Sequence, residues 1–259
     1  MKIYQIDAFT DKPFTGNPAA VCFLESRKEN SWMQNVATEM NLSETAFFWP
    51  KESGYELKWF TPTMEVDLCG HATLATAYSI WEEGLKQKNE PIEFYTKSGT
   101  LTTHISDEWI EMDFPSLPAK EVSPPDGLLE ALHVKASYVG ENKHDYLVEV
   151  PTEIALRKLR PDFLKLARLD IRGVIVTARS TEYDFVSRFF APGVGISEDP
   201  VTGSAHCCLA PYWGKKLKKD VMVGYQASQR GGIVRTRIAG DRVMLGGKAV
   251  IILKGELLQ

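Results

Sequence analysis

The chain of 259 residues has few cysteines and no excess of charge of either sign. Its four cysteines include no C-x-x-C pair, so neither a disulfide scaffold nor a paired-cysteine zinc site is expected. A net charge of −4 offers no electrostatic footprint for nucleic acid or anionic membranes. No apolar run approaches the ~18–20 residues of a membrane span, and the first residues lack an apolar signal core. We therefore expect a cytoplasmic protein with reduced thiols and with no nucleic-acid or membrane partner.

Signatures of the common cofactor and metal sites are missing as well. The sequence contains no phosphate loop, dinucleotide fingerprint, nucleophile elbow or metal-binding triad. Its 19 glycines and 14 prolines are too few for a disordered chain, while 44% of the residues are hydrophobic. These features predict a folded protein that uses neither a metal nor a cofactor.

What the chain does contain is an alternation of short apolar strands with a few helices. Strands are indicated at residues 2–9, 19–24, 45–49 and 55–60, and again at 173–177 and 185–190. Residues 70–85 place Leu74, Tyr78 and Trp81 at helical spacing with no charge before Glu82, which predicts a helix buried on all sides. A second largely apolar helix is expected from residue 203 onward. The fold class is therefore α/β (α+β).

The two halves of the sequence repeat one pattern. Phe60-Thr61-Pro62 precedes Gly70-His71-Ala72-Thr73, and Phe190-Ala191-Pro192 precedes Gly203-Ser204-Ala205-His206. Aligned at the glycines, the copies are offset by 133 residues. Each copy has an aromatic strand end, a proline turn, a loop and a helix that begins with glycine. The repeat predicts two similar halves, with a ligand site in the cleft that two such junctions would form.

Each repeated junction is a candidate anion site. A glycine at a helix start allows close backbone approach, and the first N–H groups of a helix attract anions. His71 and Ser204 occupy the same position in the two copies. Spacing alone leaves a second interpretation equally open, in which both junctions are ordinary caps on buried helices.

Two carboxylate positions add to these candidates. Glu44 precedes the very apolar run Thr45–Trp49; it is either a solvated loop residue or a desolvated group suited to acid/base catalysis. Glu198 and Asp199 precede the second junction, where Glu198 is expected to complement the helix dipole. Asp199 stands before Pro200, which holds the backbone extended and can aim the side chain.

Several long motifs resemble the phenazine-biosynthesis isomerase (PhzF-like) family. They are spread in order over most of the chain: Asp7–Thr10 with Phe14–Val21, Asn41–Phe47, Trp59–Ala75 and Phe190–Leu209. The resemblance implies a diaminopimelate-epimerase-like fold of two similar domains. In each, a strongly curved, mostly antiparallel sheet is wrapped round a central helix, and the active site lies in the interdomain cleft.

The resemblance and the proline-rich stretch Pro115–Pro125 together give the domain boundaries. That stretch is the best linker candidate in the chain. We expect an N-terminal domain over residues 1–116 and a C-terminal domain over 117–248, with residues 249–259 returning to the first domain.

The same resemblance implies a set of site residues. It assigns the acid/base to Glu44 of Ser-Glu-Thr-Ala, with His71, Asp199 and Ser204 as further catalytic residues. Substrate binding is expected from Asn17, Gly70, Thr202 and Gly203. No metal ligand and no cofactor are implied, and a homodimer is expected.

One position departs from the two-thiol pattern of epimerase relatives. The two helix junctions carry Cys69 and Thr202, so only one thiol is present. A single base at Glu44 is therefore favoured, and Cys69 is expected to be a small buried residue. Arg230 is expected in a solvated turn, with carboxylate pairing as the alternative, and His206 is expected to be a core histidine with its hydrogen bonds satisfied.

Three functions remain open from the sequence. The first is a cofactor-independent isomerase that moves a proton on a small cyclic or amino-acid-like carboxylate, held near the N–H groups of Gly70 and Gly203. The second is an epimerase or racemase in which Cys69 assists. The third is a metabolite-binding protein without turnover, against which the complete set Glu44, His71, Asp199 and Ser204 argues.

Overall fold

A computed structural model describes residues 1–258 and divides the chain into two compact units. Unit 1 comprises Met1–Asp113 and the described residues from Gly246 onward, and unit 2 comprises Phe114–Leu245. The division expected from the sequence lies at residues 116/117 and 248/249.

Unit 1 is built on mixed strand pairing with two long helices. In chain order the elements are β1 (Lys2–Ala8), β2 (Asn17–Phe23), α1 (Asn30–Met40), β3 (Glu44–Lys51), β4 (Gly54–Phe60), β5 (Glu65–Val66), α2 (Gly70–Glu82), β6 (Ile92–Thr96), β7 (Gly99–Ser106) and β8 (Trp109–Pro115). β1 pairs antiparallel with β2, β2 parallel with β3, β3 antiparallel with β4, and β4 parallel with β6. This order sets the start of β3 beside β2.

Helix α2 is the central element of unit 1. It packs against β1, β2 and β3, and ten of its thirteen residues are buried. Its buried hydroxyl groups are satisfied within the helix, because Thr73 Oγ1 donates to the Cys69 carbonyl at 2.6 Å and Thr76 Oγ1 to the Ala72 carbonyl at 2.7 Å. The predicted helix that is buried on all sides is confirmed, and it ends at Glu82.

Unit 2 has shorter helices before its own long central one. Its elements are β9 (Lys120–Glu121), α3 (Leu128–Leu132), β10 (Tyr138–Glu141), β11 (Asp145–Glu149), α4 (Glu153–Arg157), α5 (Phe163–Leu166), β12 (Gly173–Arg179), β13 (Phe185–Ala191), β14 (Ile196–Asp199), α6 (Gly203–Leu217), β15 (Val221–Gln226), β16 (Gly232–Ala239) and β17 (Arg242–Gly247). Strand β15 was not predicted from the sequence, because Gly224 occupies a buried position of its alternating pattern where an apolar side chain would have signalled a strand. A Cβ there would lie 2.4 Å from the Phe185 ring, so this strand position requires glycine.

The strand pairing of unit 2 repeats that of unit 1. β10 pairs antiparallel with β11, β11 parallel with β12, β12 antiparallel with β13, and β13 parallel with β15. In each unit a short strand also pairs antiparallel with the strand before the central helix, β5 with β4 and β14 with β13. The internal repeat read from the sequence is therefore a repeat of topology.

The proline-rich stretch Pro115–Pro125 is not a free linker, because it is bonded into unit 2. Ser116 N–H donates to the Asp241 carbonyl at 2.8 Å, and Leu117 N–H to the Cys207 carbonyl at 3.0 Å. Pro211 lies four residues after Cys207 in α6 and has no N–H to offer that carbonyl. The Cys207 carbonyl, which receives no helical hydrogen bond from Pro211, thus binds the N–H of Leu117 instead.

The last strand, β18 (Ala249–Glu256), belongs to unit 1. It pairs antiparallel with β1 along that strand's whole length, from Lys2 opposite Glu256 to Ala8 opposite Ala249. It also packs on α2, so the central helix is covered by strands from both ends of the chain.

Candidate active site

The N-terminus of α2 is the first component of the site in unit 1. Cys69 is the extended N-cap residue, and its carbonyl accepts both the N–H of Thr73 at 3.1 Å and the Thr73 hydroxyl. These two bonds fix the entry of the chain into the helix. The N–H groups of the first helical turn, at Gly70, His71 and Ala72, have no acceptor one turn earlier in the helix and form an anion-attracting end.

Glu44 lies at the first residue of β3, which pairs with Ala19 of β2. Its side chain is 14% exposed, so it is not the solvated loop carboxylate that the sequence left open. One of its oxygens, Oε2, lies 3.2 Å from Nε2 of His71. The two candidate residues of unit 1 are therefore in direct contact.

His71 is buried in the first turn of α2. Burial lowers the pKa of its imidazole from 6.5 to about 3, because the charged form is desolvated. The ring is therefore neutral at ordinary pH and carries one proton. The Nε2–Oε2 contact is short, but the ring is not aligned for a regular hydrogen bond, a looseness common in sites without substrate.

Cys69 completes the cluster in unit 1. Its Sγ lies 3.5 Å from Nδ1 of His71, so the imidazole has the carboxylate at one nitrogen and the thiol at the other. Cys69 is buried, as predicted. One ligand atom from each of Glu44, Cys69 and His71 lies within 4.8 Å of the others, and this is the one such group of His, Cys, Asp and Glu among residues 1–258. The expected absence of a bound metal stays a prediction.

Buried histidines make the stability of the fold sensitive to acid. The pKa of His206 is lowered by burial to about 4 and that of His71 to about 3. Below pH ~6.5 the unfolded chain binds these protons while the folded chain does not, so stability falls as the pH drops toward 4. Each histidine should contribute about 1.4 kcal/mol per pH unit over this range.

Urea unfolding at pH 7, 6 and 5 checks this expectation. We expect His206→Gln to reduce the pH dependence of the unfolding free energy. His133→Gln, which changes an exposed histidine, should leave it as in the parent chain. An unchanged pH dependence in His206→Gln would contradict the assignment of that histidine as buried and neutral.

The loop before α6 is the first component of the site in unit 2. The hydroxyl of Thr202 donates to Asp199 Oδ2. The buried amide of Gln226 supports the loop from β15: Oε1 accepts the Thr202 N–H at 2.9 Å, and Nε2 donates to the Asp199 carbonyl at 2.8 Å and to Thr202 Oγ1 at 3.1 Å. Thr202, which corresponds to Cys69 in the repeat, thus has a hydroxyl already engaged on both sides.

Ser204, in the first turn of α6, lies beside an arginine. Arg172 Nη2 donates to Ser204 Oγ at 3.4 Å, and the same guanidinium binds both carboxylate oxygens of Asp145, with Nε to Oδ1 at 2.8 Å. The Asp145 side chain is fully buried, whereas Arg172 is 41% exposed. A fixed cation with an accessible edge therefore lies beside the N-terminus of α6.

Two expectations for unit 2 need correction. Glu198 does not serve chiefly to complement a helix dipole, because it forms a two-pronged ion pair with Arg188 at 2.7 and 2.9 Å. His206 is buried, but its hydrogen bonds are only half satisfied. Its Nδ1 is 2.8 Å from the Thr202 carbonyl, while Nε2 has no hydrogen-bond partner in the described part of the chain.

The repeat shows what unit 2 lacks at the position of Glu44. Thr45 lies opposite Phe60 in unit 1, and Val174 lies opposite Phe190 in unit 2, so Glu44 corresponds to Gly173. A Cβ at Gly173 would lie 2.4 Å from the Phe189 ring. A side chain has no room there, so unit 2 has no carboxylate that corresponds to Glu44.

The remaining predicted residues take ordinary backbone positions. Asn17 begins β2 and is fully buried, with its Oδ1 3.5 Å from the Ser43 hydroxyl. Gly70 and Gly203 are the first residues of α2 and α6. Arg230 is half-buried, which does not decide between a solvated turn and pairing with a carboxylate. The structure thus brings Glu44 into contact with His71, and Asp199 with Thr202.

Three residues of the site were missed by sequence reasoning: Arg172, Asp145 and Gln226. Arg172 carries a usable signal, since it directly precedes the buried strand of unit 2 that corresponds to the strand of Glu44 in unit 1. Gln226 has none, because it ends a strand that was not predicted. Asp145 looks like an ordinary turn residue until its partner, 27 residues away, is known.

Comparisons with known proteins cover the whole chain. The family model for phenazine biosynthesis-like protein, PhzC-PhzF, matches residues 6–255. An uncharacterized isomerase of Halalkalibacterium halodurans is 55% identical over 99% of this chain and 98% of its own. A crystal structure from the phenazine biosynthesis protein PhzF family of Enterococcus faecalis has a TM-score of 0.96 at 41% identity, covering 100% of this chain and 99% of that one.

A more distant structure supports the fold alone. A predicted epimerase of Pseudomonas aeruginosa has a TM-score of 0.76 at 21% identity, covering 100% of this chain and 99% of that chain. The fold and these matches define an isomerase with an epimerase-like architecture. The chain belongs to the phenazine biosynthesis-like (PhzC-PhzF) family. The predictions of family, fold class and isomerase class are confirmed.

Within residues 1–258, no helix has both the length and the apolar character needed to cross a bilayer.

Proposed function

We propose that this isomerase moves a proton between carbons of a small cyclic or amino-acid-like carboxylate, with Glu44 as its single acid/base and without a cofactor. The observation that carries the proposal is the contact of Glu44 Oε2 with Nε2 of His71, 3.2 Å apart and both mostly buried. A carboxylate in such surroundings is largely desolvated, which suits a general base.

The neutral imidazole of His71 suits a supporting role. With its single proton it donates one hydrogen bond, to Glu44 or to charge developing on the substrate. The first-turn N–H groups of α2, from Gly70 onward, provide an anion site for the substrate carboxylate. We assign Asn17 to substrate binding on the family resemblance alone.

In unit 2 we assign Asp199 and Ser204 to orienting polar groups of the substrate, and Thr202 and Gly203 to binding it. The supporting observation is that the loop is already ordered by Gln226, so its polar groups need no rearrangement before they bind. Arg172 joins this set, because its guanidinium is partly exposed beside Ser204.

A single base is supported from unit 2 as well. Gly173 takes the place of Glu44, and the Thr202 hydroxyl is committed to Asp199. Neither position offers a second group to deprotonate carbon. The two-base inversion of two-thiol epimerases therefore lacks its second partner.

One observation favours a second candidate function. Because the Cys69 thiol is 3.5 Å from His71 Nδ1, it lies close enough to that imidazole to be activated as a base in an epimerase or racemase. The two candidates differ in what happens at carbon: an isomerase relocates a double bond or a proton, whereas an epimerase inverts one centre.

Solvent exchange tests the proposal and separates the candidates. A panel of cyclic amino acids, hydroxy acids and unsaturated carboxylates is screened by thermal shift, and hits are incubated with the enzyme in deuterated water. We expect one C–H signal to be lost with relocation of a double bond or proton, and the activity to persist in Cys69→Ser. Inversion of a single centre that disappears in Cys69→Ser would replace the proposal with the epimerase candidate.

We also propose a cytoplasmic location, from the low cysteine content and the lack of an apolar signal core, and a homodimer, from the family resemblance. Size-exclusion chromatography with light scattering checks the second part. We expect about twice the mass of the chain, and a monomer at micromolar concentration would contradict it.

A further inference from the structure

We propose that Cys69 is a positioning residue whose thiol donates to Nδ1 of His71 and thereby holds the ring proton on Nε2, toward Glu44. The inference rests on the proposed function in one respect, the role of Glu44 as the base. It assigns the thiol a task distinct from that of the second base in a two-thiol epimerase.

The geometry places two different partners at the two ring nitrogens. Sγ of Cys69 is 3.5 Å from Nδ1, within hydrogen-bonding distance for sulfur, and Oε2 of Glu44 is 3.2 Å from Nε2. All three groups are mostly buried, so little water competes at either nitrogen. Because the neutral ring carries a single proton, the nitrogen that accepts from one partner leaves the other nitrogen to donate.

The local fold keeps the thiol in place. Cys69 is the N-cap of α2, and Thr73 binds its carbonyl through both the backbone N–H and the hydroxyl. His71 follows two residues later, inside the first turn of the same helix. These bonds fix the backbone of Cys69, and the burial of its side chain leaves the thiol little room to turn away from the ring.

The chemistry of the pair selects one tautomer. Burial lowers the pKa of His71 to about 3, so the contact joins a thiol to a neutral imidazole rather than a thiolate to an imidazolium. An imidazole lone pair is a better acceptor than a thiol sulfur, which favours the S–H proton pointing at Nδ1. Nδ1 is then the unprotonated nitrogen, and the ring proton resides on Nε2.

That tautomer is also the one an ionised Glu44 favours. A ring N–H facing a carboxylate attracts it, whereas a ring lone pair at 3.2 Å repels it. By supplying a donor to the far nitrogen, Cys69 keeps the imidazole in the form that supports the base. Removal of the thiol takes away one of the two contacts that select Nε2–H, so a population with the ring proton on Nδ1 is expected to appear.

Nitrogen NMR of histidine tests the tautomer without any substrate. Protein labelled with 15N-histidine is compared as the parent chain, Cys69→Ala, Cys69→Ser and the control Cys22→Ala, which truncates another buried cysteine of unit 1. Protonated and unprotonated ring nitrogens have well separated shifts. We expect His71 to be the Nε2–H tautomer in the parent, in Cys69→Ser and in Cys22→Ala, with Nδ1–H appearing in Cys69→Ala.

Kinetics provides a second measurement once a substrate is known. We expect Cys69→Ala to lower kcat roughly 10- to 100-fold with little change in KM, the loss typical when the partner that orients a functional histidine is removed. Cys69→Ser should restore most of the rate, because a hydroxyl also donates to Nδ1.

The two proposals fail in different ways. An Nδ1–H tautomer in the parent chain, or an unaltered tautomer in Cys69→Ala, would overturn the positioning role whatever the role of Glu44. If Glu44 is not the base, proton exchange is unchanged in Glu44→Gln. The tautomer of His71 measured in the Cys69 variants does not depend on that result. If Cys69→Ala unfolds, the comparison of Cys69→Ser with the parent still decides, since a changed tautomer there contradicts the proposal.

Discussion

Substitution of Glu44 by Gln should reduce enzyme-dependent substrate-proton exchange roughly 100- to 10,000-fold, the contribution expected of a general base. Glutamine keeps the size of the side chain and an oxygen near Nε2 of His71, but it cannot take a proton from carbon. We therefore expect substrate affinity to change little while kcat falls. Deuterium incorporation from labelled water, followed by proton NMR, measures the effect directly.

A matched control for this substitution lies in the same unit. The side chain of Glu65 is 13% exposed, against 14% for Glu44, but it is paired with Lys58 and Lys97 at 3.2 and 3.1 Å. Glu65→Gln removes a carboxylate of equal size and burial and should leave the exchange rate within about threefold of the parent. If the exchange rate falls equally in the two variants, the effect comes from a disturbance of unit 1 as a whole. If Glu44→Gln keeps the exchange rate of the parent, Glu44 is not the base.

Substitution of Gln226 by Leu is expected to cost both stability and turnover. Leucine fills similar volume but leaves the Thr202 N–H and the Asp199 carbonyl without the partners that the amide supplies. Buried groups stripped of a partner cost about 1–3 kcal/mol each, which predicts a loss of roughly 2–6 kcal/mol in unfolding free energy. Because the same bonds order the loop that carries Asp199, we also expect turnover to fall at least 10-fold.

Thr236→Val is the control for the Gln226 variant. Thr236 lies on the neighbouring strand β16, is equally buried and makes one long contact, 3.5 Å from its hydroxyl to the Met222 carbonyl. Urea unfolding should show a small loss for this variant, about 1 kcal/mol, and unchanged proton exchange. Full turnover in a destabilised Gln226→Leu would restrict Gln226 to a structural role.

The parts of this molecule that sequence reasoning reached are those with local signals. A glycine followed by small apolar residues predicted both central helices, and alternating or apolar runs predicted most strands. The repeat of that pattern predicted two similar halves. Glu44 and His71 could be nominated because each lies at the border of such a segment, where polar groups are uncommon.

The contacts that could not be predicted depend on strand register between distant segments. Asp145 and Arg172 form one site because β11 and β12 run parallel, and Gln226 reaches Thr202 because β15 follows α6 back along the sheet. Glu198 appeared to be a dipole partner because its true partner, Arg188, lies across the strand pair β13–β14. Pairings of this kind are set by the assembled fold, and no residue of the local sequence encodes them alone.

The glycine at position 173 has a stereochemical consequence. Under the proposed function Glu44 is then the one proton carrier, because its counterpart in unit 2 has no room for a side chain. A carrier that both removes and returns a proton acts on a single face of the substrate plane, so migration of hydrogen should be suprafacial. Substrate deuterated at the reacting carbon should then deliver part of its label to the product molecule from which it came, in competition with exchange into the solvent.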